Sequence, residues 1–461
     1  MTLATLTENS LANYGDFAAR AAGHRLPWLK RQREEAFARF RQLGFPTTRD
    51  EDWRFTNVSA IAQTPFRLAS DSEQPPARET IESYRIPGVK VQLVFVNGRF
   101  VPELSLAGDL PPGVEVGSLA AKLESAPGEI EPLLGRAHEP GRDAFAALNT
   151  AFLEDGGYIR IGKGVVVEEP ICLLFVSTGS AGAPLMSHLR NLIVAEENSQ
   201  ASFIEDYVSL NAEPAFSNSA TVLVAGSHSV LSHFMIEREN MQSFNVSTLR
   251  VELARAADVA SHSVLLGGAL VRNNVHPVLG GEGAECLING LFIGGGEQHL
   301  DNYMMVEHAS PRCASRQFYN GILDGRASGV FHGRIIVQKD AQKTDAKQTN
   351  RNLLLSDDAS IDTKPQLEIY ADDVKCTHGA TIGQIEAEAL FYLRSRGIDE
   401  ADARKLLLLA FASECLDRIK AGAAHTHIEG LIHDCLARVA HSVLAVSSGE
   451  KTAGRNWEEI G

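Results

Sequence analysis

The chain has 461 residues, 44% of them apolar, and a formal charge of −15. That length can bury a large core and predicts two or three domains, while the acidic balance argues against broad electrostatic capture of nucleic acid or an anionic membrane. No apolar run is long enough to cross a bilayer and there is no charged-then-apolar start with a small-residue cleavage site, so the expectation is a cytoplasmic chain, neither membrane-spanning nor secreted.

Near the start, SLANYGDFAARA and WLKRQREEAFARFRQLG carry apolar residues at helical spacing, and the second stretch stops at Gly44-Phe45-Pro46. Ala69 to Pro87, rich in Ser, Asp, Glu and Pro, reads as a linker to a hairpin around FVNGRFV, where Asn97-Gly98 is a strong turn signal. A helical patch from about Leu119 to Glu154 leads onward. From Cys172 to about Ile385 the chain reads as short apolar strands broken by small and polar residues. Strand starts near Leu192, Val222, Leu249 and Val275 are 30, 27 and 26 residues apart. Breaks follow them at AEENSQASF, AGSHSVLSHF, ARAADVASHSV and GGEGAECLI, and recur at DGRASGVFH and SDDASIDTK.

Recurrence of strand, small-residue turn and strand predicts a solenoid, because each coil leaves an apolar face uncovered until the next stacks on it. Evenly spaced short strands also suit a sandwich, which is the structural rival. The predicted organisation is a helical region and linker over 1–90, a mixed hairpin and helical lead-in over 91–170, the solenoid over 171–385 and a helical domain over 386–461. In that last domain Asp399 can cap a helix through ADARKLLLLAFASECLDRIKAG, which Gly422 can end. A second helix places Ile428, Leu431, Ile432, Cys435, Leu436, Val439 and Val443 on one stripe. The stripes are expected to form a core between the two helices, with a docking surface as the functional alternative. Cys415 and Cys435 read as packing residues.

Six cysteines, at 172, 286, 313, 376, 415 and 435, show no Cys-x-x-Cys pair and no disulfide-framework spacing. No local motif here holds a stable cluster, so any cluster would be transient, shared with another chain, or completed by ligands brought together by the fold. The richest chemistry lies in KPQLEIYADDVKCTHGAT, Lys364 to Thr381. Cys376 and His378 are two apart and share a face of a strand. A thiol and an imidazole together suit iron or persulfide sulfur, and Asp372 and Asp373 add hard oxygen donors nearby. The plainer reading makes Cys376 a small buried apolar residue and His378 a hydrogen-bonded strand residue. Glu307-His308 with Cys313 reads as structural or interfacial, His425-Thr426-His427 as exposed caps, and His228, His233 and His262 as solvent-facing coil positions or channel lining. The chain has no G-x-x-x-x-G-K-[ST] run, no G-x-G-x-x-G fingerprint and no G-x-S-x-G elbow, so any ATP hydrolysis would belong to another subunit.

With ALFYLRSRGI after it and AQKTDAKQTNRNLLLSD before it, that run resembles the C-terminal half of the SufB/SufD family of iron–sulfur assembly scaffolds. The resemblance is nearer the SufD branch, since the SufB branch usually reads His-Glu-Ala where this chain has His378-Gly379-Ala380. It is dense from about Asp301 to Arg396 and includes PTTRDEDWRFTNV, Pro46 to Val58. It implies a mainly β fold, a right-handed parallel β-helix flanked by helical domains. It also implies a non-catalytic scaffold that pairs with SufB through the β-helix and with the SufC ATPase through the C-terminal helices, around Tyr392, Leu393, Arg394, Arg396, Gly397 and Ile398. A transient iron–sulfur cluster would be shared with SufB and none held permanently by the lone chain, with His378 as ligand, Cys376 second, and Asp372 or Asp373 in support. Alone, the chain would be able to pair with itself through the same edge. The competing class is a sugar-active or acyl-transfer β-helix enzyme. It is disfavoured because adjacent Asp372 and Asp373 face opposite sides of a strand and make a poor acid/base pair.

Overall fold

A computed structural model describes residues 14–70, 73–134, 143–179 and 184–448. The central element is a parallel β-solenoid in which successive strands alternate between two sheets. One sheet runs from Val114–Ser118 and Gly157–Ile161 through Leu185–Ala195 to Ser360–Ile369; the other runs from Val91–Val96 and Ile171–Ser177 through Gln200–Ser209 to Lys375–Gly383. From Leu185 onward the chain makes about seven coils. Parallel pairing throughout this stack removes the sandwich.

The spacing of the repeat is as expected, but the residues taken as strand starts lie inside the strands. Leu192 belongs to Leu185–Ala195 and Val222 to Ala215–Ala225. Val222 registers on Leu192 and Val275 on Leu249, whereas Leu249 sits on Thr221. The polar residues Asn218 and Ser219 hide the true beginning of a strand because they are buried and satisfied within the fold.

Each coil but the last turns from the first sheet to the second at a residue in the left-handed region. Asn198, His228, Ala256, Arg312 and Lys343 all have φ between 50° and 62°, and Gly283 has 72°. That conformation is costly for a non-glycine residue, and here a ladder offsets it. The corner N–H of Asn198 donates to Ser227 O, that of His228 to Arg255 O, and so on to Lys343 and Asp373 O. His228 is thus a corner residue.

The start of the solenoid is covered. Val114–Ser118 pairs antiparallel with Gly157–Ile161, and the Asn97-Gly98 hairpin folds Arg99–Phe100 back on Val91–Val96. Asn97 and Gly98 both have positive φ, as a tight hairpin turn requires. Inside the stretch expected to be a linker, Arg78–Glu82 is helical and Ile81 is buried against Val94 and Leu174; positions 71 and 72 lie outside the described residues. The expected patch at 119–154 resolves into helices Leu119–Ser125, Pro127–Leu134 and Ala144–Ala151, with 135–142 outside the description. The first residues of SLANYGDFAARA, up to Asn13, lie outside it too. The helix Pro27–Leu43 ends at Gly44, whose N–H donates to Phe40 O.

Ala144–Ala151 is anchored by buried polar groups. Asn149 Nδ2 donates to Leu189 O and Asn218 O, both at 2.8 Å, and its Oδ1 accepts from Arg190 Nε at 2.9 Å. Arg190 is held by neutral groups, with Nη2 donating to Thr150 Oγ1 at 2.7 Å.

At the far end the helices Glu400–Leu416 and Ala423–Ser448 lie on the outer face of the second sheet. Asp399 caps the first, accepting from Asp402 N. That helix closes at Asp417, not at Gly422, because Ile419 turns back into the apolar cluster. Ile428, Ile432, Cys435 and Leu436 are buried, with Leu431 and Val439 partly so, not only against the first helix but against Phe234, Leu291, Ile293 and Phe318 of the sheet, and the side chain of Val443 lies outside the description. Cys415 and Cys435 are buried packing residues there.

Two predictions test this framework. Asn149→Ala strands the buried Arg190 guanidinium and should lower stability by about 3 kcal/mol, read as a fall in the urea midpoint. His188 is buried, stacked on Phe152 with Nδ1 near Asn218 Nδ2, and burial pushes its pKa from 6.5 down to about 3. Below 6.5 the unfolded chain takes up a proton that this folded ring refuses, so the ring's contribution to stability falls as pH falls. The stability gap between wild type and His188→Gln should therefore narrow by about 1.4 kcal/mol per pH unit below 6.5, measured by denaturant titration at stepped pH.

Candidate functional site

Among the described residues the solenoid ends without a cover. Ser360–Ile369 and Lys375–Gly383 are the last strands of the two sheets, each paired on one side only. Their residues are half-buried or exposed, where earlier strands are mostly buried. A row of backbone N–H and C=O groups is therefore open along both edges.

Cys376 and His378 lie on the last strand, in register with Ala346 and Gln348 of the coil before. Ala346 and Gln348 are buried and face the lumen; Cys376 is half-buried against the apolar core. By alternation His378 shares that inward face and is exposed only because no coil follows. Burial first, then the Asp345 charge, pushes the Cys376 thiol up, against a lowering hydrogen bond from Ala346 N–H.

Asp372 and Asp373 sit in the turn before this strand and are exposed. Asp373 N donates to Gln342 Oε1, and its carbonyl accepts from Lys343 N. The backbone of Asp373 is thus tied to the preceding coil. Among the described residues no three His, Cys, Asp or Glu side chains converge as a metal site.

The other histidines separate by face. His233 points into the lumen and lies 3.3 Å from Glu205 Oε1. Burial opposes ionisation of Glu205, but hydrogen bonds from His233, Thr221 and Tyr207 outweigh it and hold the carboxyl below the usual range. His262 stacks on Phe234 and binds Asn289, which also reaches Cys415 O. Both rings are buried, which removes the solvent-facing alternative for them. His308 is buried with Nε2 2.8 Å from Ser315 Oγ, while Glu307 accepts from Gln338 at the surface. Cys313 is buried and donates to Gly281 O. His425 lies 4.0 Å from Glu429, and His427 is half-buried.

The segment Tyr392 to Ile398 forms the end of helix Ala387–Ser395 and the turn after it. The Arg396 guanidinium lies over the Tyr392 ring at 4.6 Å, Arg394 pairs with Glu400 at 3.2 Å, and Gly397 takes φ 88°. Leu393 and Ile398 are half-buried. The helix buries no residue fully. Sequence reading passed over Phe391, which at 73% is the most exposed large apolar residue described. It also passed over Gln317 and Gln348, which only cross-coil register places behind His378.

Comparison with known proteins matches residues 175–411 to a family described as SUF system FeS cluster assembly, SufBD core domain. Residues 6–173 match the SufBD protein N-terminal region. An iron–sulfur cluster assembly SufBD family protein of Synechocystis is 34% identical over 418 residues, 89% of this chain and 90% of the relative. The iron–sulfur cluster assembly protein SufD of Escherichia coli is 34% identical over 409 residues, 88% of this chain and 92% of the relative. Protein ABCI7, chloroplastic, of Arabidopsis thaliana is 30% identical over 416 residues, 88% and 86%.

Of the six thiols only Cys376 is not buried, and burial raises Cys286 and Cys415 to about 12. Alkylation of the native chain should thus label one residue first, and Cys376→Ser should abolish that phase in a peptide map. Early labelling elsewhere would contradict this placement.

Proposed function

The chain belongs to the SufBD family of iron–sulfur cluster assembly proteins, and from that premise we propose that it is a scaffold subunit that builds a cluster together with SufB. The observation that carries this reading is the uncapped last coil, which offers two open strand edges and places His378 at the mouth between them. A second β-helix pairing with these edges would satisfy the open backbone groups and bring its own thiolates to the imidazole. His378 is the ligand from this side and Cys376 the second candidate, with Asp372 or Asp373 able to support iron entry only if the turn moves. The cluster is cargo, shared across the contact and passed on. Without SufB, the same edges would allow a homodimer.

The C-terminal helices are the docking surface for the SufC ATPase in this reading. Support comes from Phe391 and Tyr392, 73% and 54% exposed, beside Leu406 at 47%. Apolar groups exposed this far on neighbouring helices favour a protein partner. Tyr392, Leu393, Arg394, Arg396, Gly397 and Ile398 would carry SufC motion to the solenoid. ATP hydrolysis would belong to SufC, and this chain would act in the cytoplasm without catalysis of its own.

Co-purification with SufB and SufC, followed by anaerobic iron and sulfide loading read by visible absorption, tests the proposal. The wild-type complex should load, and His378→Ala should assemble normally while its cluster signal falls. Equal loading without His378 would move the site into SufB, and failure to form any complex would defeat the scaffold reading. SufC binding should slow hydrogen exchange across 387–398; unchanged exchange in an assembled complex would remove that surface.

A further inference from the structure

The solenoid interior directly behind His378 is lined by amides. On the inward face His378 registers on Gln348, and Gln348 on Gln317. Gln348 is 1% exposed and Gln317 2%. Gln348 Nε2 is 3.4 Å from Gln317 Oε1, while Gln348 Oε1 and Gln317 Nε2 have no hydrogen-bond partner within the described residues. The opposite sheet leaves room for this pair: a Cβ on Gly333 would come within 2.9 Å of both Gln317 Oε1 and Gln348 Nε2. Thr363, whose hydroxyl is also without a partner among the described residues, stands on the last strand of that sheet, in register with Phe331.

Buried amide oxygens are rarely left without a donor. Registered neighbours on one face of a sheet lie about 4.8 Å apart, within reach of a glutamine side chain. The Gln348 N–H end is committed to Gln317, so its oxygen is the end free to serve the next coil, where the inward side chain is His378.

We propose that Gln348 is the positioning residue for His378. In this structure the exposed His378 ring makes no hydrogen bond to Gln348; a turn of the ring into the lumen lets Gln348 Oε1 accept its N–H, which selects one neutral tautomer and leaves the other nitrogen with its lone pair directed out of the mouth. A histidine that binds metal commonly donates its second nitrogen to an acceptor in this way, and loss of that acceptor weakens binding. Gly333 acts through space, by leaving the two amides their layer. The functional consequence rests on the reading of His378 as a ligand, but the tautomer is a property of the chain alone.

The test is a long-range proton–nitrogen correlation spectrum of the full chain labelled with 15N-histidine, recorded where the rings are neutral. The His378 signals are assigned by their loss in His378→Ala. Wild type should show a single His378 tautomer, Gln348→Leu a mixture, and Gln348→Glu, which keeps an acceptor oxygen, a single tautomer again. Mixed tautomers in wild type overturn the proposal whether or not the variants fold, and a single tautomer retained in folded Gln348→Leu overturns it equally. Anaerobic Fe²⁺ binding to the complex with SufB gives the second readout. Gln348→Leu should weaken it by about 10- to 100-fold and Gln348→Glu should restore it. A tautomer that depends on Gln348, with Fe²⁺ affinity indifferent to His378, would uphold the positioning role and defeat only the ligand reading.

Discussion

Everything in this fold depends on in-register stacking of parallel coils. A parallel strand satisfies its backbone only through the strands on either side, so each coil is completed by the next. The left-handed corners follow the same rule, each donating its N–H to a carbonyl one coil further on. A stack of this kind has two ends by construction. At the first end, antiparallel strands and short helices supply the missing partners. At the second, nothing in the described chain does, and this is where Cys376 and His378 lie.

The two outer faces are covered by different means. The segment 46–58 straps the first sheet: Thr56 Oγ1 donates to Asp301 Oδ2 at 2.5 Å, Trp53 stacks on Arg272 at 3.9 Å, and Glu51 reaches Lys364 on the last strand of that sheet. The second sheet is covered by the C-terminal helices, through Asn289 to Cys415 O, Asn320 to Phe411 O and the Arg351–Glu414 pair. Both covers bind outward-facing side chains. The first cover reaches the last coil through Glu51 and Lys364, while that coil's inward residues and, among the described residues, its backbone edge stay open; on the proposed reading that is the combination an assembling cluster and a second subunit would need.

The lumen is not uniformly apolar. Glu205, His233, Thr221 and Tyr207 form one buried cluster and Gln317 with Gln348 another. Groups of this kind are tolerable only when they meet one another, and the Glu205 cluster is well satisfied whereas the amide pair is not. Both clusters have a coil on either side, and the amide pair lies next to the last one.

By itself the sequence determined the features that arise from neighbouring residues. Its repeat of 26 to 30 residues implies a solenoid, Asn97-Gly98 a hairpin, Asp399 a helix cap, and the two-residue offset of Cys376 and His378 a common strand face, because alternation and capping are local. Its motifs were enough to show the family. Only the tertiary structure decided which distant residues meet. Gln348 lies 30 positions before His378, and their pairing depends on the length of every turn between them. The burial of His233 and His262, the early end of the helix at Leu416, and the packing of the C-terminal stripes on a sheet were hidden for the same reason. A side chain's local pattern tells which way it points, but register and stacking decide what lies there.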